Sequence, residues 1–288
     1  MADLALVTAR DFVKQTGIQP VLIVTTSDTL AENPEVHQHY RNDLRHMREY
    51  GKRHGFRVIT KIATPGILDT FQLKVLSGRG LPSFAGMNTD CSVSLKIVPQ
   101  QKLRSEIFVQ LERANLKEPV TLLGTRYDES EKRSISMMIR QENSTTPVRN
   151  SDGDLILSPV CDFSTDDVFE YLGSRRQGDS YSDFKETLRL YAHAEGASCA
   201  IVAAAIQEGT AKRKKDGCGA RHGCYVCQQA TDKSLENMIA YDGRYGYATG
   251  LNKLNKFIRN TRYDMRRRHW IGRTIKAGYI AIALRTSI

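Results

Sequence analysis

Three cysteines, Cys218, Cys224 and Cys227, lie in the ten-residue stretch CGARHGCYVC, and the last two have the CxxC spacing. A CxxC pair is typical of half a zinc site, a redox dithiol or half an iron–sulfur site. The residues that follow contain neither a second CxxC nor a histidine pair at zinc-finger spacing. The spacing alone does not distinguish among a zinc site, a redox dithiol and an iron–sulfur site.

Four thiolates gathered from separate positions suit a 4Fe–4S cluster. The candidate ligands are Cys91, Cys199, Cys218, Cys224 and Cys227. Cys161, in the stretch PVCDF, is expected instead to be buried at the end of a strand, as free cysteines often are. The sequence therefore predicts a metal or cluster site.

Polar side chains follow several predicted strands, where open α/β sheets bind ligands. Asp28 and Thr29 follow the first strand and offer a carboxylate and a hydroxyl to a ribose or base. Arg79 and Lys96 are suited to phosphate or sulfate. The stretch GTRYDESEKR predicts a phosphate clamp in which a carboxylate orients a guanidinium. Its residues are Arg126, Glu129, Ser130 and Arg133.

The hydrophobic pattern predicts the elements that position these groups. VLIVTT at 21–26 is typical of a strand buried on both faces of a parallel sheet. A helix at 35–54 and a strand at 57–62 follow, which implies a right-handed crossover. The alternation continues with strands at 120–124 and 155–160 and helices at 2–15, 100–114 and 164–172, the last capped by Ser164 or Thr165.

Beyond residue 175 the pattern becomes mostly helical. Helices are predicted at 182–194, 197–207, 232–242 and 250–268, with a short strand at 278–284. We expect a nucleotide-binding-like α/β domain over 1–175 and a helical, basic, cysteine-containing region over 176–288.

The 288-residue chain carries a formal net charge of +10. Two basic clusters, Lys212–Lys215 and Arg266–Arg268, contribute to this excess, which suits a polyanionic partner such as nucleic acid. No apolar run approaches the roughly 20 residues of a membrane span. We expect a cytoplasmic protein, in which thiols stay reduced and serve metal binding or catalysis.

Taken in order, the motifs resemble the phosphoadenosine phosphosulfate reductase family. The matching stretches, VLIVTTSDTLAENPE, DCSVSLKIVP, GTRYDESEKR and LSPVCDFSTDDVFEYL, cover about residues 20–172. CGARHGCYVCQQATDKSLENMI is similar to DndC-type sulfurtransferases of DNA phosphorothioation systems. The resemblance implies an adenine nucleotide alpha hydrolase-like (PP-loop type) fold with a parallel sheet and flanking helices.

The resemblance also implies ligands and partners. A 4Fe–4S cluster would be held by Cys91, Cys224, Cys227 and either Cys199 or Cys218. ATP with magnesium would bind through the polar residues named above, Asp28 and Thr29 contacting the adenosine. A cysteine desulfurase would supply sulfur, DNA or tRNA would accept it, and other phosphorothioation-complex subunits would assist.

One departure separates this chain from the family pattern. The SGGKDS-type loop that cradles pyrophosphate does not occur in it, so the first strand and its loop are expected to be missing. Two alternatives remain. One is a sulfonucleotide reductase, which needs a cysteine in a C-terminal tail that here reads IALRTSI. The other is a noncatalytic, cluster-carrying subunit that binds nucleic acid.

Overall fold

The structure is a computed structural model. It describes residues 1–77, 90–116, 118–176, 178–195, 222–228, 233–261, 264, 266, 274–276 and 279–281. The described part is a mixed α/β structure with small sheets and flanking helices. None of its helices combines the length and apolar composition that crossing a membrane requires.

The helices are, in chain order, α1 (Ala2–Thr16), α2 (Pro34–Arg53), α3 (Asp90–Ser92), α4 (Val98–Arg113), α5 (Glu131–Ile139), α6 (Thr165–Ser174), α7 (Lys185–Glu195), α8 (Ser234–Tyr241) and α9 (Thr249–Thr261). The strands are β1 (Val21–Ser27), β2 (Arg57–Ala63), β3 (Val120–Leu122), β4 (Val148–Arg149), β5 (Leu155–Leu157), β6 (Thr274–Lys276) and β7 (Tyr279–Ala281).

The predicted β1–α2–β2 unit is confirmed. The two strands are parallel, with Val21 opposite Arg57 and Ser27 opposite Ala63. Asn33 caps α2 by accepting a hydrogen bond from the Glu35 backbone, which satisfies one of the helix's unpaired amides.

A close approach near the end of α2 requires glycine. A Cβ atom added at Gly51 would lie 2.5 Å from Val58 Cγ2 and 2.9 Å from the Phe56 carbonyl oxygen. These contacts lie well inside van der Waals distance, so the turn from α2 into β2 packs only with a residue that lacks a side chain.

The expectation of one parallel sheet is corrected in two ways. The strands fall into separate sheets, β1–β2 and β3–β5–β4. β3 and β5 are parallel, whereas β4 pairs with β5 in the antiparallel sense. The turn before β5 explains this: Asn150 accepts backbone hydrogen bonds from Asp152 and Asp154 and reverses the chain.

β1 is also less buried than its apolar composition predicted. Val21 is 46% exposed, and no residue of the strand is fully buried. The physical reason is that β1 has a single hydrogen-bonded neighbour, β2, among the described residues. The prediction of burial on both faces was therefore wrong.

Among the described residues, the largest buried cluster forms where α1 and α2 pack on β2. Its fully buried members include Leu6 of α1 and Tyr50 of α2, with Phe56 and Val58 beneath them. Leu22 and Val24 of β1 pack against the same cluster.

The C-terminal helices pack against this α/β part. α7 contacts α2 and α8, and the side chain of His39 on α2 hydrogen-bonds Thr187 on α7 at 2.8 Å. The helix predicted at 250–268 is shorter, Thr249–Thr261, and the strand predicted at 278–284 is one arm of the β6–β7 hairpin. The predicted helix at 197–207 lies outside the described residues.

Candidate functional site

The loop that follows β1 is tightly ordered by buried polar side chains. The Asp28 carboxylate accepts hydrogen bonds from the Leu30 backbone at 2.8 Å and from the Tyr40 hydroxyl at 2.9 Å. His37 Nε2 lies 3.2 Å from the same carboxylate. Leu30 has a φ of 60°, so the loop holds a non-glycine residue in the left-handed region. The contact of Asp28 with an adenosine remains a prediction.

The CxxC turn packs directly on this loop. Cys224 Sγ lies 3.3 Å from Thr29 Oγ1. The Tyr225 backbone amide donates a 2.9 Å hydrogen bond to the Ala31 carbonyl, and the Cys227 amide closes the turn onto the Cys224 carbonyl at 2.8 Å. A thiol far along the chain is thus positioned at the carboxyl end of β1.

Two charged residues complete the surroundings of this thiol. Thr29 Oγ1 donates to Glu32 Oε1 at 2.9 Å, and Lys96 Nζ lies 4.0 Å from the same carboxylate oxygen. The pKa of the Cys224 thiol is raised from 9.0 to about 11, chiefly by burial and also by the nearby Glu32 carboxylate, while Thr29 and Lys96 oppose the change. The sequence-predicted residues Thr29, Lys96 and Cys224 are therefore brought together.

α9 holds the CxxC turn from the other side. Asn255 Nδ2 donates to the Tyr225 carbonyl at 2.7 Å and to the Cys227 carbonyl at 3.1 Å. Arg259 Nη2 in turn donates to Asn255 Oδ1 at 3.2 Å. Both carbonyls of the turn and the amide that binds them are therefore fixed.

An apolar cluster lies under the same contact. Val226 of the turn packs with Ala31, Phe71 and Ile258. Gln72 Nε2 contacts the Tyr225 hydroxyl at 3.1 Å and the Leu30 carbonyl at 3.3 Å. The CxxC turn is consequently an integral part of the fold.

The thiols fit a cluster site in part. Cys224 and Cys227 supply soft donors at the spacing that zinc and iron–sulfur sites use. Among the described residues no group of three or more His, Cys, Asp or Glu is close enough to hold a metal ion, so half-buried Cys91 does not complete such a group with the CxxC pair. Cys199 and Cys218 lie outside the described residues. Cys161 is buried, as predicted.

A second group of polar residues follows β3 in the chain. Glu129 is placed between Arg126 and Arg133, 3.8 Å from the first and in a close ion pair with the second. Ser130 caps α5 by accepting a hydrogen bond from the Arg133 backbone. The predicted arrangement of two guanidinium groups around one carboxylate is present.

Arg126 is also tied to the start of α6. Its Nη1 donates to the Phe163 carbonyl at 3.2 Å, and Asp128 accepts a 2.8 Å hydrogen bond from the Thr165 amide. α6 carries the full capping box between Ser164 and Asp167. The segments that follow β3 and β5 therefore meet at this guanidinium.

Several predicted residues have no described position. Arg79 and the cluster Lys212–Lys215 lie outside the described residues, as do Arg267 and Arg268. Arg266 is described, and Asp264 accepts hydrogen bonds from its guanidinium at 2.9 and 3.0 Å.

Sequence reasoning missed Glu32 and Asn255. Glu32 lies inside the stretch VLIVTTSDTLAENPE and is four residues from Asp28, a usable signal. Asn255 is one of three asparagines in α9, and no local pattern distinguishes it.

No protein-family model, no curated protein and no solved structure matches this chain.

Proposed function

We propose that the protein is an ATP-pyrophosphatase-type sulfurtransferase of the adenine nucleotide alpha hydrolase-like class, and that it adds sulfur to the backbone phosphate of a nucleic acid, in the first place DNA. The observation that carries the proposal is the position of Cys224, whose Sγ lies 3.3 Å from Thr29 at the carboxyl end of β1. Ligands bind at this edge in open α/β sheets, so a sulfur-handling thiol there lies where nucleotide activation would occur.

The arginine group behind β3 supports nucleotide binding. Arg133 is about half exposed and is held by Glu129, so its remaining donors are oriented toward solvent at a strand's carboxyl end. Guanidinium groups bind phosphate oxygens with two parallel hydrogen bonds. We assign Arg126 and Arg133 to the phosphates of ATP, which binds with magnesium.

The reaction proceeds in two displacements. An oxygen of the target phosphate attacks the α-phosphorus of ATP, and pyrophosphate leaves. The terminal sulfur of a persulfide, supplied by a cysteine desulfurase, then attacks the activated target phosphorus, and AMP leaves with the oxygen. After these two displacements a thiol reductant cleaves the S–S bond of the adduct, which releases the phosphorothioate and leaves the donor cysteine as a disulfide with that reductant. Thr29 and Glu32 hold Cys224 beside this centre, and Lys96 adds positive charge for the departing phosphates.

The relay of sulfur is the chemistry that a 4Fe–4S cluster supplies when it is bound. Cys224 and Cys227 would hold it together with cysteines from the set Cys91, Cys199 and Cys218. In the described part of the chain, Asn255 and Ala31 keep the two CxxC thiols in one turn whether or not further ligands join them.

The test is a phosphorothioation assay. The protein is incubated with ATP, magnesium, cysteine, a cysteine desulfurase, a thiol reductant and duplex DNA, and phosphorothioate dinucleotides are measured by mass spectrometry after nuclease digestion. We expect product from the parent protein and none from Cys224→Ser. Cys161→Ala, which removes a thiol buried behind β5, is the matched control and keeps activity.

The same samples separate the alternatives. ATP–pyrophosphate exchange reports the first displacement alone. Sulfite release from a sulfonucleotide would identify a reductase. Absence of both exchange and phosphorothioate, with DNA binding retained, would identify a noncatalytic subunit and overturn the proposal.

A further inference from the structure

α9 differs from the other helices around the CxxC turn in its charge. Its sequence, TGLNKLNKFIRNT, contains three basic residues, three asparagines and no acidic residue. The exposed positions Lys253, Lys256, Phe257 and Asn260 follow the i, i+3, i+4, i+7 spacing of a single helix face. These four residues form the α9 face.

The opposite side of α9 packs against the protein interior. Leu254 and Ile258 pack against Ala31, Phe71 and Val226. Because these apolar side chains are buried in the fold, they are not available for insertion into a lipid surface. The packing also fixes the direction in which the α9 face points.

A polar cleft joins the α9 face to the thiol. It is lined by Cys224, Ser234, Glu236, Asn252, Lys256 and Arg259, among others. Glu236 is the carboxylate of this lining, and Lys256 Nζ lies 2.8 Å from its Oε1. The pKa of Glu236 is lowered chiefly by Lys256, and Lys233 and Arg259 add to the decrease. Three cations therefore lie near this one carboxylate.

An exposed ion pair such as Lys256–Glu236 is weak, because both groups remain hydrated. A phosphate oxygen can therefore replace the carboxylate as the partner of Lys256. Phe257 is 54% exposed on the same face, next to the two lysines, and an exposed aromatic ring beside cations is an arrangement on which nucleic-acid bases stack.

We propose that the α9 face binds the phosphodiester backbone of a nucleic acid and that the cleft beside Lys256 and Arg259 guides it to Cys224. This inference deepens the proposed function, on which it rests for the identity of the sulfur acceptor. It involves residues separate from the basic clusters at 212–215 and 266–268. Recognition is through phosphate charge and base stacking and is independent of base sequence.

The first experiment measures the salt dependence of binding without ATP or a sulfur donor. Fluorescence anisotropy follows labelled oligonucleotides of one sequence as single-stranded DNA, duplex DNA and RNA, and these three arms distinguish the sources of the backbone. Lys253→Ala with Lys256→Ala removes two phosphate contacts, so the slope of log K against log salt should become shallower by about 2.

The matched control removes the same charge elsewhere. Lys14→Ala with Lys52→Ala changes two exposed lysines near the C-terminal ends of α1 and α2. We expect the parent slope in this variant. Equal loss of slope in both double variants would show a general charge effect and overturn the proposal.

A variant that is expected to bind the oligonucleotide more tightly distinguishes the proposed contact from misfolding, because a misfolded protein would bind more weakly. Glu236→Gln removes the carboxylate that competes with phosphate for Lys256, so binding should tighten by about tenfold or less, since one exposed pair is involved. Weaker or unchanged binding would contradict the assignment of the cleft.

The second experiment locates the contact. Oligonucleotides that carry 5-iodouracil are irradiated with the protein, and cross-linked peptides are identified by mass spectrometry. We expect peptides containing Phe257, and cross-links confined to other parts of the chain would overturn the proposal. Vesicles of phosphatidylserine and phosphatidylcholine form a separate arm, and binding to them without oligonucleotide binding would also overturn it.

These measurements are independent of turnover. Oligonucleotide binding at the α9 face without phosphorothioate formation would refute the proposed function and leave this inference standing. Phosphorothioate formation by the parent protein, together with an unchanged salt slope in the Lys253 and Lys256 double variant, would support the proposed function and refute this inference.

Discussion

Asn255 donates a 2.7 Å hydrogen bond to the carbonyl of Tyr225, the residue that directly follows Cys224. The same amide nitrogen reaches the Cys227 carbonyl at 3.1 Å. One side-chain amide on α9 therefore fixes both ends of the CxxC turn, and the geometry of the two thiols depends on it.

Asn255→Asp should destabilise this turn. The substitution keeps the shape of the side chain but replaces the donor with a carboxylate that faces two carbonyl oxygens. We expect the free energy of unfolding to fall by about 2 kcal/mol, the cost of leaving half-buried acceptors unpaired. Urea denaturation measures the change. Asn260→Asp, on the exposed side of the same helix, is the control, and a loss of equal size there would contradict the assignment.

The pKa of Cys224 predicts a pH dependence of stability. Burial raises this pKa from 9.0 to about 11, so the folded chain holds the thiol proton more tightly than the unfolded chain does. The stabilisation is complete below pH 9 and is lost as the pH rises through about 11, a total change of about 3 kcal/mol. It is measured on metal-free protein as the difference between the parent and Cys224→Ser, whose hydroxyl does not titrate. A difference that stays constant between pH 8 and 11 would count against the buried thiol.

Arg133→Ala should weaken ATP binding. The guanidinium beside Glu129 is assigned to a phosphate, and a charge-assisted hydrogen bond contributes about 1.5–3 kcal/mol, equivalent to a roughly tenfold to 150-fold increase in Kd. Isothermal titration calorimetry with ATP and magnesium measures it. Arg149→Ala, which breaks an exposed ion pair with Glu118, provides the comparison and should leave Kd unchanged.

Gly51→Ala and Gly250→Ala should have opposite effects on stability. The added methyl group at Gly51 meets Val58 and the Phe56 carbonyl at less than 3 Å, and overpacking of this kind costs about 1–3 kcal/mol. At Gly250, the second residue of α9, nothing lies within 4 Å of the added atom, so alanine should raise stability by about 0.5 kcal/mol, the low end of the range for a helix interior. Thermal unfolding of both variants tests the pair, and a stable Gly51→Ala protein would refute the packing of α2 on β2.

Local patterns predicted the local structure well. The apolar run VLIVTT, the helix predicted at 35–54 and the cap predicted at Ser164 correspond to β1, α2 and the capped start of α6. Each of these signals is carried by residues within a few positions of the element that they specify. The grouping of Arg126, Glu129 and Arg133 was predictable for the same reason, because all three lie within one turn and the helix that follows it.

Long-range relationships were not predictable in the same way. Thr29 and Cys224 are separated by 195 residues, and no sequence spacing indicates which loop a CxxC turn will contact. The division of the first five strands into two sheets depends on which strand edges find partners, and β-branched composition does not report this. The role of Asn255 depends on helix placement, since Asn252 and Asn260 have the same chemistry in the same helix.

The double attachment of the CxxC turn has a consequence for local opening. The turn shares backbone hydrogen bonding with Ala31 near one end of the chain and accepts side-chain hydrogen bonds from Asn255 near the other. Separating α9 from the body of the protein therefore also exposes the segment behind β1. Amide protons in these two distant segments belong to one cooperative unit and exchange with solvent through a shared fluctuation.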